Sequence, residues 1–284
     1  MGKNIKYFLM DGVAKGRVKC TLANWTGISY KVPRTLLEKC KDREDFKKSG
    51  VYFLFGVSDT SDDLVVYVGQ AGSRKNGDGI YQRLIEHKQN PDKDYWTEAV
   101  MFTTADNSFG PTEISYLENH FCTMAMEAHR CIVKNGNEPS QGNVTEEKES
   151  ELEEFIEYAK IVMGVLGYNI FEPLTSRNTS NNSTQVPVVK YYLNRRGADA
   201  QGILNEEGFV VLSGSKICKD ETPSCPNYVK ESRTKYAKDL DDNGVLQKDI
   251  LFKSPSGAAC FVMGASANGN TEWKTADGMN LGNS

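Results

Sequence analysis

Two short strand-like runs that lie close together constrain the fold of this 284-residue chain most strongly. They occupy residues 50–55 and 64–68, and both are rich in valine, leucine and aromatic residues. The connection between them is polar and carries Asp59, Asp62 and Asp63. Apolar runs of this length on either side of a turn-rich connection predict an antiparallel hairpin.

Each run contains a glycine and a tyrosine on either side of a valine, and charged residues follow at helical spacing. The two triplets are Gly50-Val51-Tyr52 and Tyr67-Val68-Gly69. Arg83 and His87 are four residues apart and therefore share one face of a helix predicted over residues 80–89. Glu118 lies in a second predicted helix, which begins at Pro111. This order resembles the GIY-YIG nuclease family over residues 49–135, with valine in place of isoleucine in both triplets.

The resemblance implies a small α/β (α+β) nuclease domain, in which helices flank a three-stranded antiparallel sheet. It also implies a metal-dependent DNA endonuclease that acts in restriction, defence or DNA repair. The catalytic residues that it implies are Tyr52, Tyr67, Arg83, His87 and Glu118.

The chemistry of phosphodiester hydrolysis gives each of these residue types a role. A divalent cation polarises the phosphoryl oxygen, and Mg²⁺ (or Mn²⁺) keeps most of its waters, so Glu118 alone is expected to hold it. Arg83 is expected to bind the phosphate. Either Tyr52 or Tyr67 could relay the proton of the attacking water if its pKa were lowered from about 10. His87 is either a second proton relay or a phosphate donor.

Positive charge is concentrated at the N-terminal end of the chain. Residues 1–50 have a net charge of +7, whereas residues 51–172 have a net charge of −12. We therefore expect the N-terminal segment to lie beside the catalytic cleft and to supply phosphate contacts. The nucleic-acid-binding residues expected there are Lys15, Arg17, Lys19 and Lys31. Arg74 and Lys75, in a glycine-rich loop, either contact DNA phosphate as well or belong to a solvated loop.

Composition shifts divide the chain into four segments. We expect a basic N-terminal extension (1–48), the nuclease domain (49–172), a linker (173–190) and a small α+β accessory domain (191–284). The linker assignment rests on the cluster of Ser, Thr and Asn between Pro173 and Pro187.

The last segment has a resemblance of its own. Its motifs include Ser254-Pro255-Ser256, Asn268-Gly269 and Trp273-Lys274. They resemble a domain-of-unknown-function family often attached to GIY-YIG nucleases, and also the RAMA module, which is proposed to read modified DNA. The alternative is a small folding module with Trp273 in its core.

Several function classes can be set aside. No apolar run is long enough to span a membrane, and no secretory h-region precedes the first strand. The seven scattered cysteines are typical of reduced thiols, which predicts a cytoplasmic protein. Two alternatives remain to the DNA endonuclease: a non-catalytic nucleic-acid-binding protein that reads DNA through its C-terminal domain, and an RNA-directed nuclease.

Overall fold

The computed structural model describes residues 2–72, 79–136, 139–175 and 188–283. Arg74 and Lys75 lie outside the described residues, as does most of the expected linker. The chain divides into two compact units, Met1–Pro173 and Leu174–Ser284. Residues 1–48 therefore belong to the same unit as the hairpin.

The first unit is built on one sheet of seven strands among the described residues. The strands are β1 (Ile5–Leu9), β2 (Val18–Leu22), β3 (Gly27–Pro33), β4 (Gly50–Val57), β5 (Leu64–Ala71), β6 (Trp96–Thr104) and β7 (Ile132–Val133). The helices are α1 (Glu44–Lys47), α2 (Ile80–Gln89), α3 (Pro111–Ala128) and α4 (Glu146–Val165). Two 3-10 helices, Arg34–Cys40 and Pro91–Lys93, complete the unit.

The sheet has the order β1-β2-β3-β6-β4-β5-β7, with β4 between β6 and β5. The β4–β5 hairpin is confirmed, and all pairs are antiparallel except that of β5 with β7. The expected three-stranded sheet was wrong in its strand number. β6 would be an edge strand in that arrangement, and β3 covers it over seven residues, which joins the N-terminal strands to the sheet.

The two faces of the sheet carry separate cores because side chains alternate along each strand. On β4, Val51 and Phe53 pack on one face, in the core that receives α3 and α4. Tyr52 and Leu54 point to the other face and pack with residues of α2 and the 3-10 helix Arg34–Cys40. The two motif tyrosines are thus on the α2 side of the sheet, Tyr67 being packed against the same core.

The helix ends follow local sequence signals. Pro111 opens α3, and the carboxylate of Glu113 accepts a hydrogen bond from the backbone N–H of Gly110 at 3.0 Å. Thr145 caps α4 by accepting a bond from the backbone N–H of Lys148. Within the described residues, no helix combines the length and the apolar character needed to cross a membrane.

The second unit is a smaller α+β arrangement. Its sheet has the order β11-β10-β9-β8 and its strands are β8 (Lys190–Arg195), β9 (Ala198–Asn205), β10 (Gly208–Val211) and β11 (Ile250–Phe252). Its helices are α5 (Asn227–Lys235), α6 (Pro255–Met263) and α7 (Gly269–Glu272). The whole chain is therefore a mixed α+β protein.

One expectation for the second unit was wrong. The Asn268-Gly269 pair favours a tight turn that leads into a strand over residues 271–274, but the Asn268 side chain accepts a bond from the N–H of Asn270 and caps α7 instead. The following Trp273 is fully buried, and its indole N–H donates to the carbonyl of Pro255 at 3.0 Å. Trp273 is therefore a core residue of this unit.

Candidate functional site

The two motif tyrosines lie side by side on one face of the hairpin. Two tyrosines at these positions of the predicted hairpin are expected to face each other. The register instead pairs Tyr52 with Gly69 and Leu54 with Tyr67, so the tyrosines are diagonal neighbours. Their ring centroids are 6.3 Å apart. Tyr52 is fully buried and Tyr67 is partly exposed, so Tyr67 is the tyrosine that solvent reaches.

The motif glycines are required by close approaches to the backbone. A Cβ atom at Gly69 would lie 2.3 Å from the hydroxyl oxygen of Tyr52, whose ring crosses this position. A Cβ atom at Gly50 would lie 2.1 Å from the carbonyl oxygen of Phe102 on β6. Gly69 therefore lets the Tyr52 ring pack against bare backbone, and Gly50 lets strand β6 do so.

We expect Gly69→Ala to damage the site and to lower the free energy of unfolding. The buried Tyr52 ring cannot move aside without losing its packing, and overpacking of this kind costs about 1–3 kcal/mol. Gly72→Ala is the control, because its Cβ would meet only Ile114 Cδ1 at 3.9 Å. Urea denaturation measures both variants. Equal stability of the two would show that Tyr52 does not need the space at Gly69.

His87 holds the hydroxyl of Tyr52. Its Nε2 lies 2.6 Å from the Tyr52 oxygen, and the imidazole is only 4 % exposed. Burial, helped by the charges of Lys93 and Arg83, lowers the pKa of His87 to about 3, so the ring is neutral at neutral pH. With Nε2 engaged and the ring buried, His87 orients Tyr52. The expected alternative role of His87 as a direct phosphate donor has no support in this geometry.

Arg83 lies one turn before His87 and remains accessible. Its Nη1 pairs with Glu86 Oε2 at 3.0 Å, and 40 % of its side chain is exposed. Burial opposes its charge, but the bond to Glu86 and the proximity of Tyr52 raise the pKa of Arg83, which stays protonated. Its charge in turn acts to lower the pKa of both Tyr52 and Tyr67.

Glu118 reaches the same region from α3. Gln70 of β5 donates through Nε2 to Glu118 Oε2 at 2.8 Å. Burial raises the pKa of Glu118, while this bond and the charge of Arg83 lower it. The carboxylate is close enough for its charge to raise the pKa of Tyr52 and Tyr67. The structure therefore brings all five sequence-predicted catalytic residues into one region.

Both tyrosine hydroxyls are harder to ionise than free tyrosine. Burial raises the pKa of Tyr52 and of Tyr67, and the lowering effect of Arg83 is smaller. The direction is opposite to the lowered pKa that a proton relay needs. The protein side chains by themselves leave both tyrosines neutral at neutral pH.

Glu118 is suited to bind a hydrated cation through a single carboxylate. The side-chain amide of Gln70 donates to one of its two carboxylate oxygens. No group of three or more His, Cys, Asp or Glu side chains suited to a metal is present in the part of the chain that the structure describes. These residues fit Mg²⁺, which keeps several waters and needs only one or two carboxylates, rather than a closed protein cage.

Two further residues at this site had no signal in the sequence. The amine of Lys93, in the turn after α2, lies 3.3 Å from the centroid of the Tyr67 ring. Asn135 bonds the backbone of Val68 twice, accepting from its N–H at 3.0 Å and donating to its carbonyl at 2.8 Å. Asn135 thereby holds the strand between Tyr67 and Gly69. Neither Lys93 nor Asn135 lies in a sequence motif that predicts contact with the tyrosines.

Three of the expected N-terminal phosphate contacts are already paired with carboxylates. Arg17 pairs with Asp11, Lys19 with Asp45 and Lys31 with Glu98. Lys15 is exposed.

Their position also differs from the expectation. Lys31 packs against Tyr168 on the sheet face opposite Tyr52. β2, which carries Lys19, is four strand positions from β5, roughly 19 Å at the usual strand spacing. Strands β1 to β3 of the N-terminal segment therefore extend the sheet, whereas its 3-10 helix Arg34–Cys40 packs in the same core as Tyr52.

A separate groove lies on the second unit. It has a volume of about 580 Å³ and is formed by one end of β8 and the residues at and after α7. Its lining residues are Tyr192, Asn194, Arg195, Thr271, Glu272, Lys274, Thr275 and Gly278. Arg195 pairs with Glu272 across it, and Tyr192 is 37 % exposed. The groove thus combines an aromatic ring with polar and basic side chains.

Comparison with known protein families gives a match to the second unit. Residues 191–284 match the model of a family described as a domain of unknown function (DUF4357). This match confirms the expected domain-of-unknown-function assignment for the C-terminal segment, and it does not extend to the tyrosine site. No curated protein and no solved structure matches the chain.

Proposed function

We propose that the first unit is a metal-dependent nuclease that hydrolyses phosphodiester bonds in DNA. The observation that carries the proposal is the convergence of Tyr52, Tyr67, Arg83 and Glu118, with His87 bonded to the first tyrosine. A permanent cation to bind the phosphate, a carboxylate to hold a metal ion and hydroxyls next to them are groups that can serve hydrolysis of a phosphate diester. The resemblance of residues 49–135 to GIY-YIG nucleases supports the same reading.

The side chains divide the reaction between them. Arg83 binds the phosphate and offsets the charge that develops on its oxygens. Tyr67, the accessible tyrosine, meets the attacking water, and Tyr52 is oriented next to it by His87. Water oxygen attacks phosphorus and the bond to the leaving oxygen breaks. The water proton passes to solvent, either directly or through a tyrosine hydroxyl that accepts it while giving up its own proton, and the leaving oxygen takes a proton from solvent.

Glu118 is the residue that would hold Mg²⁺ or Mn²⁺, with Gln70 fixing its orientation. When bound, the cation would polarise the phosphoryl oxygen, stabilise the leaving oxygen and oppose the effect of burial on the tyrosine hydroxyls. DNA as substrate, a cytoplasmic location and a role in restriction, defence or repair belong to the same proposal.

The test is incubation of the purified chain with supercoiled plasmid and 5 to 10 mM Mg²⁺, on the order of what nucleases need to load a weak hydrated site. We expect nicked or linear products, and none after chelation with EDTA. A parallel incubation with RNA of the same sequence tests the alternative substrate. Absence of cleavage of DNA under all metal conditions would contradict the proposal, and cleavage of RNA alone would change its substrate.

The groove on the second unit favours a second candidate function, binding of nucleic acid without cleavage. Its exposed Tyr192 ring offers a stacking surface for a base, and Lys274 and Arg195 offer charge to the backbone. Tyr192→Ala in the full chain should weaken binding of single-stranded DNA about tenfold, given that stacking on one aromatic contributes about 1–3 kcal/mol. Unchanged binding would leave the groove without this role.

A further inference from the structure

Lys93 is held in place by the turn that carries it. The turn spans Pro91–Lys93, and its start is fixed by the Asn90 side chain, which accepts a bond from the N–H of Asp92 at 2.9 Å. At its end, Arg34 pairs with the carboxylate of Asp94 at 2.8 Å. The amine lies over the Tyr67 ring, 3.3 Å from its centroid. These bonds hold the backbone of the turn at both ends, and from it the Lys93 side chain reaches Tyr67.

The charges around this amine are arranged for an anion. Arg83 is paired with Glu86, and Glu118 is bound by Gln70. Lys93 itself has no carboxylate within ion-pair distance among the residues that the structure describes. A partly buried cation that rests only on the face of an aromatic ring has lost part of its hydration without gaining a counter-charge.

The electrostatics agree with this arrangement. Burial, together with the positive charge of Arg83, lowers the pKa of Lys93 to about 8, and Glu118 compensates only in part. Lys93 in turn lowers the pKa of His87. A negative group placed between Lys93 and Arg83 would offset both the burial of the Lys93 amine and its repulsion by Arg83.

We propose that Lys93 binds the scissile phosphate, donating a hydrogen bond from its amine to a phosphoryl oxygen next to Tyr67. Arg83 then contacts the phosphate from α2 and Lys93 from the turn that follows it, and Glu118 is left to the cation. This inference rests on the proposed nuclease function and adds to it a residue in contact with the substrate. The competing role is a purely structural one, in which Lys93 only packs on Tyr67.

The first experiment measures binding without cleavage. The protein carries Glu118→Gln, and fluorescence anisotropy follows a labelled duplex DNA at several salt concentrations. Adding Lys93→Gln should weaken binding about tenfold and reduce the salt slope by about 0.9, the contribution of one phosphate contact. Lys88→Gln is the matched control. It removes one positive charge from the same region. Because Lys88 already pairs with Glu38, the salt slope of this variant should equal that of the protein with Glu118→Gln alone.

The second experiment measures cleavage in the presence of Mg²⁺ by protein in which Glu118 is unchanged. Lys93→Gln should lower kcat about 10- to 100-fold, the effect of one charged hydrogen bond to a transition-state oxygen. Lys93→Arg keeps the charge, and its kcat should stay within about fivefold of that of the unchanged protein. A structural role predicts instead that Lys93→Met, which keeps the aliphatic stem, behaves like the unchanged protein.

The outcomes separate this inference from the function on which it rests. If the chain cleaves DNA, Glu118→Gln does not, and Lys93→Gln matches the unchanged protein in binding and rate, the inference is wrong and the nuclease function stands. If no variant cleaves DNA but Lys93→Gln reduces the salt slope, the phosphate contact stands and the nuclease function is wrong. Lack of DNA binding by every variant, or equal losses in Lys93→Arg and Lys93→Gln, would also overturn the inference.

Discussion

Glu118→Gln should reduce DNA cleavage by about 10³-fold or more, which corresponds to about 4 kcal/mol of transition-state stabilisation. The substitution keeps the size of the side chain and its bond with Gln70, since the amide oxygen can accept in place of the carboxylate. It removes the carboxylate charge that we propose holds the cation. Steady-state cleavage at saturating Mg²⁺ measures the effect.

Circular dichroism and the melting temperature show whether the fold survives Glu118→Gln. We expect no loss of stability, because burial already disfavours the charged form of Glu118 and raises its pKa. A matched substitution, Glu113→Gln, lies on the same helix but at its N-terminus, where the carboxylate bonds the backbone of Gly110. Glu113→Gln should keep its activity. Full activity of Glu118→Gln would refute the assignment of the metal ligand.

Arg83→Ala should lower kcat about 10²- to 10³-fold, the range found when one charged donor to a developing oxyanion is removed. The guanidinium is accessible, protonated and within electrostatic reach of both tyrosines, so its contact strengthens as charge builds on the phosphate. DNA binding should fall much less than kcat, since binding draws on several phosphate contacts. Single-turnover cleavage and anisotropy give the two quantities separately.

Arg83→Lys is the comparison that isolates geometry from charge. Lysine keeps the positive charge but presents a single point charge in place of the planar, two-pronged donor. We expect it to recover only part of the lost rate. A kcat of Arg83→Ala equal to that of the unchanged protein would show that Arg83 does not touch the reacting phosphate.

The local elements of the first unit could be predicted because their signals lie within short stretches of sequence. The hairpin follows from two apolar runs around a polar turn, and α2, α3 and α4 follow from apolar spacing and caps such as Thr145. The residue types at the candidate site were also predictable. Tyr52, Tyr67, Arg83, His87 and Glu118 do lie in one region.

Long-range partners could not be predicted from the sequence. Asn24 to Gly27 has the composition of a turn and Pro33 fits the start of a helix, and nothing near Gly27–Pro33 shows that β6 needs a partner strand there. The basic N-terminal residues looked free for the same reason. Lys31 pairs with Glu98, 67 positions away, and Lys19 with Asp45. Net charge in a segment does not show which cations the fold has already neutralised.

The precise arrangement around the tyrosines also depends on packing that sequence patterns do not carry. The register shifts the tyrosines to diagonal positions, and burial raises rather than lowers their pKa. Lys93 comes to Tyr67 only because a short turn reverses the chain after α2. Its distance from the motif residues in sequence gives no hint of that contact.

The most direct test of the central claim is DNA cleavage in ¹⁸O-labelled water, followed by mass spectrometry of the product ends. Hydrolysis at the site of Tyr67, Arg83 and Glu118 predicts one ¹⁸O atom in the terminal phosphate made by each cleavage and none in the hydroxyl end that leaves. Glu118→Gln, purified in the same way, should give no labelled product above background. Products without the label, or equal labelling by Glu118→Gln, would contradict the assignment of this site as a phosphodiester hydrolase.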